Sequence, residues 1–271
     1  MQQINFEEID YEKILNCNKE HFVVEKEGEL FHFKLHLKNN SKKLVVFSNG
    51  AVDPSKNTPP IFMRASWVEE MNYNALFIDD KTVHNNGLRI GWGVGTKDRH
   101  FLIDYSQIVK KITKELNIID KDIYYFGSSQ GGFMSMALSA MHEDTTAIVN
   151  NPQTYVDNYY ESVVTALYNT IFPDKSRKDI LIEYADRISI TTIFLKYRTP
   201  RLFYYQNRLC EGDMRNHLSP FLSRLDSYNI DSSNINFILY NNKKDGHSPI
   251  NKEKTLKLID EIIYDRTTFI K

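Results

Sequence analysis

The sequence has few cysteines, few glycines and no long apolar run. Its two cysteines, Cys17 and Cys210, exclude the disulfide framework of a small secreted domain. Neither belongs to a CxxC pair, the spacing typical of a zinc or redox site. No stretch approaches the roughly 18 apolar residues of a membrane helix, and the N-terminus has neither the basic start nor the apolar core of a signal peptide. We therefore expect a cytoplasmic location and no membrane span.

An excess of charge of one sign is also absent. Lysine and arginine total 34 against 35 aspartates and glutamates, so no net charge draws the protein to nucleic acid or to anionic lipid. The sequence predicts small or neutral partners and no nucleic acid. A length of 271 residues is ordinary for one α/β domain with a substantial core, and we expect a single domain over 1–271.

The patterns that are present begin with strands. In the stretch LFHFKLHLK at 30–38, apolar residues alternate with histidines and lysines, which is typical of a strand with one wet face. The preceding HFVVEKEGE supplies a second strand and a turn at Gly28. Later apolar runs do not alternate, which indicates strands buried on both faces; these are KKLVVFSNG, NALFIDD, IYYFGSS, TAIVNN, RLFYYQN and NINFILY.

Segments with helical spacing separate those runs. A hairpin followed by alternating strands and helices predicts an α/β fold, with a mostly parallel sheet, an N-terminal antiparallel hairpin and helices on both faces. Residues 154–199 hold two or three helical patterns where one crossover helix would suffice, and we interpret them as a helical cap inserted over one end of the sheet. The other helical segments lie at about 60–73, 100–116, 131–142, 215–228 and 251–264.

Two adjacent serines stand between glycines in the stretch GSSQG at 127–131. With Ser129 at its centre the stretch fits G-x-S-x-G, directly after a predicted strand and before a helical run. Such a turn needs small residues two positions on either side of its serine, because strand and helix nearly touch there. Centring on Ser128 would place Phe126 and Gln130 at those positions. Ser129 is therefore the candidate nucleophile; the alternative is a turn that binds phosphate or has no chemical role.

A reactive serine needs a histidine to take its proton and an acid to orient that histidine, in the chain order serine, acid, histidine. His247 follows the last predicted strand, and we expect it to be the base; a surface loop histidine is the alternative. Asp213, after the strand RLFYYQN, is the candidate acid, and Glu211 is the runner-up. Asp213 could instead cap the helix that begins near Met214. We expect His217 to support the site or to lie at the surface.

The oxyanion of an acyl-transfer intermediate needs N–H donors. One candidate is the backbone N–H of Gln130, directly after the serine. The other is the backbone N–H of Ala51, in the loop after LVVF, because Gly50 lets the chain turn inward there and no proline precedes Pro54 in that loop.

These residues resemble the α/β-hydrolase superfamily over most of the chain. A closer resemblance is to the α/β-hydrolase-like proteins of bacterial surface-glycan systems, which include the O-acetyltransferase component of the accessory Sec system and a capsular polysaccharide biosynthesis family. The stretches that carry it are GWGVGT, FGSSQGGFMSMALSA and NNPQTYVDNY, together with QNRLCEGDMRNHLSPF, which is similar to the acid-bearing loop of that group. The resemblance implies a triad of Ser129, Asp213 and His247.

Three residues are expected to reach a substrate. Trp92 and Gln153 follow predicted strands, and they could stack on a sugar ring and hydrogen-bond its hydroxyls; a tryptophan that covers the sheet edge and a glutamine that fixes a turn are the alternatives. Asn49 lies in the loop that also holds Ala51. Tyrosines from 155 to 160 are expected beside them at the mouth of the site, because their rings suit sugars.

The residues and the resemblance together predict a serine-dependent acyl hydrolase or acyltransferase that acts through an acyl-enzyme on a small ester, an O-acetyl group of a bacterial surface carbohydrate. Water or a sugar hydroxyl would take the acyl group. No metal or cofactor is implied, and glycan-biosynthesis proteins are the expected protein partners. The alternatives are a non-catalytic scaffold or binding subunit of a glycan-assembly complex, and an esterase, thioesterase, peptidase or lipase with a non-carbohydrate substrate.

Overall fold

The strands that the structure describes all belong to one β-sheet. The computed structural model describes residues 2–53 and 55–265. The strands are β1 (Gln2–Asn5), β2 (His21–Lys26), β3 (Glu29–His36), β4 (Leu44–Phe47), β5 (Asn74–Ile78), β6 (Ile123–Ser129), β7 (Thr146–Pro152), β8 (Arg201–Asn207) and β9 (Ile235–Tyr240). Within the described residues these nine strands form a single sheet in the order β1-β2-β3-β5-β4-β6-β7-β8-β9.

The sheet is mostly parallel, as the sequence predicts. β2 and β3 form the antiparallel hairpin, and its turn at Glu27 and Gly28 has positive φ angles of 51° and 80°. β3 also pairs antiparallel with β5, whereas all pairs from β5 to β9 are parallel. β1 pairs parallel with β2, and no sequence pattern indicates this short strand.

The helices confirm most of the predicted segments. Those at about 100–116, 131–142 and 251–264 are present, and the segment at 215–228 is a π-helix (Met214–Leu218) that continues into an α-helix. The helices are α1 (Tyr11–Asn16), α2 (Phe101–Glu115), α3 (Gln130–Met141), α4 (Glu161–Ile171), α5 (Arg177–Glu183), α6 (Ala185–Ile188), α7 (Ile190–Lys196), α8 (Glu211–Asp213), α9 (Ser219–Ser227) and α10 (Lys252–Ile263).

The prediction of a helix at 60–73 is wrong. Only a 3-10 helix, Ala65–Glu70, forms there. The preceding residues are fixed instead by a side chain from another loop, because the Asn49 amide hydrogen-bonds the backbone of Ile61 and of Met63. These contacts fix the chain before Ala65, where Met63 and Arg64 form a turn rather than an α-helix.

Residues 154–199 hold α4, α5, α6 and α7 between β7 and β8, more than one crossover helix, as their sequence pattern indicates. That this segment acts as a cap stays a prediction. Among the helices in 2–53 and 55–265, none combines the length and the apolar character that a membrane span requires.

The core lies on both faces of the sheet because successive residues of a strand point to opposite sides. In β4, Leu44 and Val46 belong to a large apolar cluster with α2 and α3, whereas Val45 and Phe47 belong to a second cluster with α10. All four are buried. β9, at the edge of the sheet, is only half-buried.

β6 and α3 meet so closely that only hydrogen atoms fit between their backbones. A Cβ atom on Gly127 would lie 2.1 Å from the carbonyl oxygen of Gly131, and a Cβ on Gly131 would lie 2.7 Å from the carbonyl oxygens of Ser48 and Asn49. Backbone atoms cannot rotate aside as a side chain can. The two outer glycines of G-x-S-x-G are therefore required by the contact of strand, helix and the loop after β4.

Gly127→Ala should lower the thermal midpoint of the protein, because its methyl group would overlap the backbone of α3. Overpacking of this kind costs about 1–3 kcal/mol, which for a chain of this size corresponds to roughly 2–12 °C. The matched control is Gly212→Ala, since no atom lies within 4 Å of the Cβ that it adds. Thermal unfolding followed by circular dichroism measures both variants, and equal midpoints would contradict this explanation of the glycine.

Candidate active site

The two serines of the turn have different surroundings. Ser129 ends β6 and stands at the N-cap of α3 with φ 56° and ψ −125°, a strained conformation for a residue with a side chain. It is half-exposed. Ser128 is buried, and its Oγ accepts a hydrogen bond of 2.6 Å from Nη2 of Arg64. Burial lowers the pKa of Arg64 to about 10. Ser128 is thus a partner of an internal arginine.

The structure brings Ser129, His247 and Asp213 together, although they come from the ends of three different strands. Oγ of Ser129 lies 3.0 Å from Nε2 of His247. Nδ1 of the same ring lies 2.7 and 2.8 Å from the two carboxylate oxygens of Asp213. His247 is half-exposed and Asp213 is buried. Distances of this size allow proton transfer between serine and histidine.

The alternatives for the acid and the base do not match this geometry. Asp213 makes no helix-capping hydrogen bond, and its backbone is itself helical, with φ −65° and ψ −41°. Glu211 is exposed. His217 is buried, its Nδ1 accepts a hydrogen bond from the backbone N–H of Thr154, and burial lowers its pKa to about 4. His217 is therefore a neutral packing residue next to the site.

Two asparagines that the sequence reading missed hold the histidine loop. Nδ2 of Asn151 donates to the carbonyl oxygens of His247 and Ser248 at 3.3 and 3.2 Å. Nδ2 of Asn207 donates to the carbonyl oxygen of Gly246 at 2.8 Å, and the backbone N–H of Asn207 donates to Oδ1 of Asn151 at 2.8 Å. The sequence feature that could have identified both asparagines is a polar residue at the end of a buried apolar strand.

The two predicted oxyanion donors lie at the start of α3 and in the loop after β4. Gln130 is the first residue of α3, where backbone N–H groups have no partner within the helix. The Gln130 side chain donates through Nε2 to the carbonyl oxygen of Gly50 at 3.1 Å, which ties the loop before Ala51 to the start of α3. The backbone N–H of Ala51 donates no hydrogen bond to the residues that the structure describes.

The structure corrects the expectation that Asn49 reaches a substrate. Its side chain is buried; Nδ2 donates to the carbonyl oxygen of Ile61 and to Oδ1 of Asp79, and Oδ1 accepts from the backbone N–H of Met63. All of these partners are internal, so Asn49 fixes the shape of the loop that carries Ala51.

Trp92 and Gln153 come together, but not as a surface for a sugar. Trp92 is fully buried, and Nε1 of its indole lies 2.5 Å from Oε1 of Gln153. Gln153 is buried too, and its Nε2 lies 3.1 Å from Oγ of Ser129. A ring with no exposed surface has no free face, which corrects the expectation that Trp92 stacks on a substrate.

Two other aromatic rings lie towards the solvent near the site. Tyr159 is half-buried and Tyr160 is 71 % exposed, with their ring centroids 4.7 Å apart. Burial raises the pKa of Tyr159, and its hydrogen bond with Gln153 opposes that change. Tyr155 is buried and so cannot contribute to the same surface.

One cluster of metal-ligating atoms lies within the described part of the chain, and it overlaps the triad. Sγ of Cys210 and ligand atoms of Asp213 and His247 all lie within 4.8 Å of one another. Burial raises the pKa of the Cys210 thiol, which disfavours the thiolate that metals bind. A metal here would also have to replace the hydrogen bond between Asp213 and His247, so the set fits proton transfer better.

Comparison by sequence with protein-family models and with curated proteins finds no match. Comparison of structures finds the α/β-hydrolase fold. The capsule O-acetyltransferase of Neisseria meningitidis serogroup A aligns with a TM-score of 0.63 and 15 % identity over 88 % of this chain and 95 % of that one, and a variant of that enzyme is known in complex with CoA.

Two further similar structures come from other bacteria. Acetyl xylan esterase 1 of a Thermoanaerobacterium species has a TM-score of 0.59 and 16 % identity over 86 % of this chain and 78 % of that one. The glycosylation-associated protein complex of Streptococcus agalactiae has a TM-score of 0.60 and 13 % identity over 88 % of this chain and 44 % of that one. At these identities the likeness is one of fold.

Ser129→Ala should abolish covalent labelling by a fluorophosphonate probe, because the hydroxyl of Ser129 is hydrogen-bonded to His247 whereas that of Ser128 is bonded to Arg64. Ser128→Ala should retain most of the labelling. Since Ser128→Ala removes an acceptor from Arg64, the thermal midpoints of both variants are measured alongside. Loss of labelling to the same extent in two folded variants would contradict the assignment of Ser129.

Proposed function

We propose that this chain is a serine esterase or acyltransferase that forms an acyl-enzyme on Ser129. The observation that carries the proposal is the continuous hydrogen-bonded series from Ser129 through His247 to Asp213 at a strained strand-to-helix turn. A glycine-rich turn without a chemical role would account for neither the histidine nor the buried carboxylate.

The first half-reaction transfers the acyl group to the enzyme. As Oγ of Ser129 attacks the ester carbon, its O–H bond breaks and the proton passes to Nε2 of His247. Asp213 accepts the Nδ1–H bond and stabilises the imidazolium that forms. The backbone N–H groups of Gln130 and Ala51 donate to the carbonyl oxygen as it becomes negative. His247 then gives its proton to the departing alcohol.

The second half-reaction reverses these roles with a new nucleophile. His247 takes a proton from water or from a sugar hydroxyl, whose oxygen attacks the acyl carbon, and the proton returns to Oγ of Ser129 as the ester bond breaks. Hydrolysis and transfer use the same residues. They differ only in which hydroxyl compound reaches the acyl-enzyme first.

We propose an O-acetyl ester of a carbohydrate as the substrate. The sequence motifs resemble those of proteins from bacterial glycan systems. Two proteins of similar fold support the same substrate, one named as an acetyl xylan esterase and the other as a capsule O-acetyltransferase. The CoA complex of the latter makes acetyl-CoA the donor to test for transfer. Tyr159 and Tyr160 supply an exposed aromatic surface on which a sugar ring could stack.

Asp213→Asn should lower turnover of an acetyl ester by about 10³–10⁴-fold, since an amide in this place leaves His247 in the wrong tautomer. The thermal midpoint should change little. Glu211→Gln is the matched control and should retain near-normal turnover, because Glu211 is exposed. Steady-state kinetics on p-nitrophenyl acetate measures both; normal turnover in Asp213→Asn with loss in Glu211→Gln would transfer the role of the acid to Glu211.

The enzyme should have a higher kcat/KM on an O-acetylated oligosaccharide than on p-nitrophenyl acetate corrected for its better leaving group. Tyr160→Ala should reduce that preference by about 2–12-fold, since one aromatic stacking contact contributes about 0.5–1.5 kcal/mol. Tyr11→Ala removes another exposed tyrosine, on α1, and should leave the preference unchanged.

Esters of increasing acyl length test the substrate class further. Rates that rise with acyl length and are insensitive to the sugar would indicate a lipase-like enzyme. A folded wild-type protein that neither labels with a fluorophosphonate nor turns over any acetyl ester or acetyl-CoA would favour the scaffold subunit over the enzyme.

A further inference from the structure

Gln153 bridges the fully buried indole of Trp92 and the nucleophile. Oε1 of its side chain lies 2.5 Å from Nε1 of Trp92, and Nε2 lies 3.1 Å from Oγ of Ser129. A second hydrogen bond joins Gln153 to Ser129: the backbone N–H of Gln153 donates to the carbonyl oxygen of Ser129 at 3.1 Å. Gln153 is completely buried. The standard acid, base and oxyanion roles at this site leave this contact on Oγ unexplained.

The chemistry of the indole fixes the direction of this bridge. An indole N–H can donate a hydrogen bond but cannot accept one. The carbonyl oxygen of the Gln153 amide must therefore face Trp92, and its NH₂ group must face Ser129. The amide cannot turn over without leaving the buried indole N–H opposite another donor, which would cost about 1–3 kcal/mol.

The direction of the bridge sets the position of the serine proton. A serine hydroxyl has one hydrogen to donate and two lone pairs that accept. Because Gln153 donates to Oγ of Ser129, the Ser129 hydrogen is directed to its other close partner, Nε2 of His247 at 3.0 Å. The neutral His247 ring must carry its proton on Nδ1, since Asp213 accepts there. The contacts of Gln153 and of Asp213 thus both favour a Ser129 hydroxyl that donates its hydrogen to Nε2 of His247.

The indole is itself held by the turn that carries the serine. The backbone N–H groups of Gly91 and Trp92 both donate to Oε1 of Gln130, at 2.9 and 3.1 Å. Trp92 has a positive φ of 51°, and its ring packs edge-to-face against Tyr159 at 5.6 Å between centroids. Trp92 is therefore positioned relative to Ser129 through one side chain at the start of α3.

We propose that Gln153 is a catalytic residue that donates a hydrogen bond to Oγ of Ser129, and that Trp92 is a positioning residue that keeps the amide of Gln153 in this orientation. The proposal rests on the acyl-enzyme chemistry proposed above. During attack the bond from Gln153 stabilises the negative charge that Oγ carries as its proton moves to His247. When the acyl-enzyme breaks down, Oγ is the leaving group and regains that charge, so the same bond assists both half-reactions.

Removal of the donor is tested with Gln153→Met, which keeps the length of the side chain, and with Gln153→Ala. Two rates are measured: the second-order rate constant of fluorophosphonate labelling at Ser129, and kcat and KM on an acetyl ester. Loss of one preorganised donor should lower the labelling rate and kcat by about 10–100-fold, with little change in KM. Thermal midpoints above the assay temperature establish that both variants are folded.

Replacement of the hydrogen-bond donor by an acceptor is tested with Gln153→Glu. Its carboxylate accepts rather than donates, so at pH 8 this variant should be slower than Gln153→Met. Protonation of the carboxyl group restores a donor, and the ratio of the two labelling rates, Glu over Met, should rise as the pH falls from 8 to 5. A purely structural Gln153 would give a constant ratio.

The positioning role is tested with a double-mutant cycle. Trp92→Phe removes the indole N–H and should lower the labelling rate by about 3–10-fold when Gln153 is present, but should have no further effect on Gln153→Met. Trp67→Phe changes the other tryptophan of the chain and should leave the rate unchanged. The same loss from Trp92→Phe in both backgrounds would mean that the indole acts through packing, and would overturn the positioning role.

The outcomes separate this proposal from the proposed function. If Ser129 of the wild-type protein is labelled while Gln153→Met and Gln153→Ala react within about twofold of it, the role of Gln153 is wrong and the serine chemistry stands. If the wild-type protein itself is neither labelled nor active on any ester, the proposed function fails instead.

Discussion

The position of Ser129 depends on the backbone contact between β6 and α3. The backbone of α3 excludes a Cβ at Gly127, and the loop after β4 excludes one at Gly131; between these two glycines Ser129 has a positive φ. The other groups reach it because β4, β7, β8 and β9 run parallel to β6 or to its parallel neighbours, and the carboxyl ends of parallel strands meet at one edge of a sheet. Each strand end supplies one group of the proposed site: the Ala51 amide, Gln153, Asp213 or His247.

Polar side chains at these strand ends have two different roles. Those of Asn49, Asn151 and Asn207 hold loops, because each bonds to backbone atoms of a segment without regular structure. The Gln153 side chain instead contacts the Ser129 hydroxyl, and the Asp213 side chain contacts His247, which lies beside that hydroxyl. These two roles explain why several buried polar groups are concentrated at one edge of the sheet. The peptide groups of a buried loop need hydrogen-bond partners within the protein. A serine that is to react needs partners for its proton and for the charge that develops on its oxygen.

The sequence was sufficient to predict the sheet, the turn at Ser129 and the residues around it, since strand periodicity and the spacing of two glycines are local patterns. It predicted that Trp92 and Gln153 follow strands, but it could not predict where their side chains point. The positive φ of Trp92 turns its indole inward, and that angle depends on the bonds to Gln130 rather than on neighbouring residues. The α-helix expected at 60–73 does not form for a similar reason, because long-range hydrogen bonds from Asn49 fix the backbone of Ile61 and Met63.

A single series of hydrogen bonds runs from Trp92 through Gln153, Ser129 and His247 to Asp213. At one end the indole can only donate, and at the other an ionised carboxylate can only accept. Each group between them has both a donor and an acceptor, so the fixed ends give every internal bond the same direction. Reversing the series would place the buried indole N–H opposite another donor and the carboxylate opposite another acceptor, and would leave buried polar groups unpaired. The serine proton is therefore directed to His247, which is the form of preorganisation that the proposed proton transfer requires.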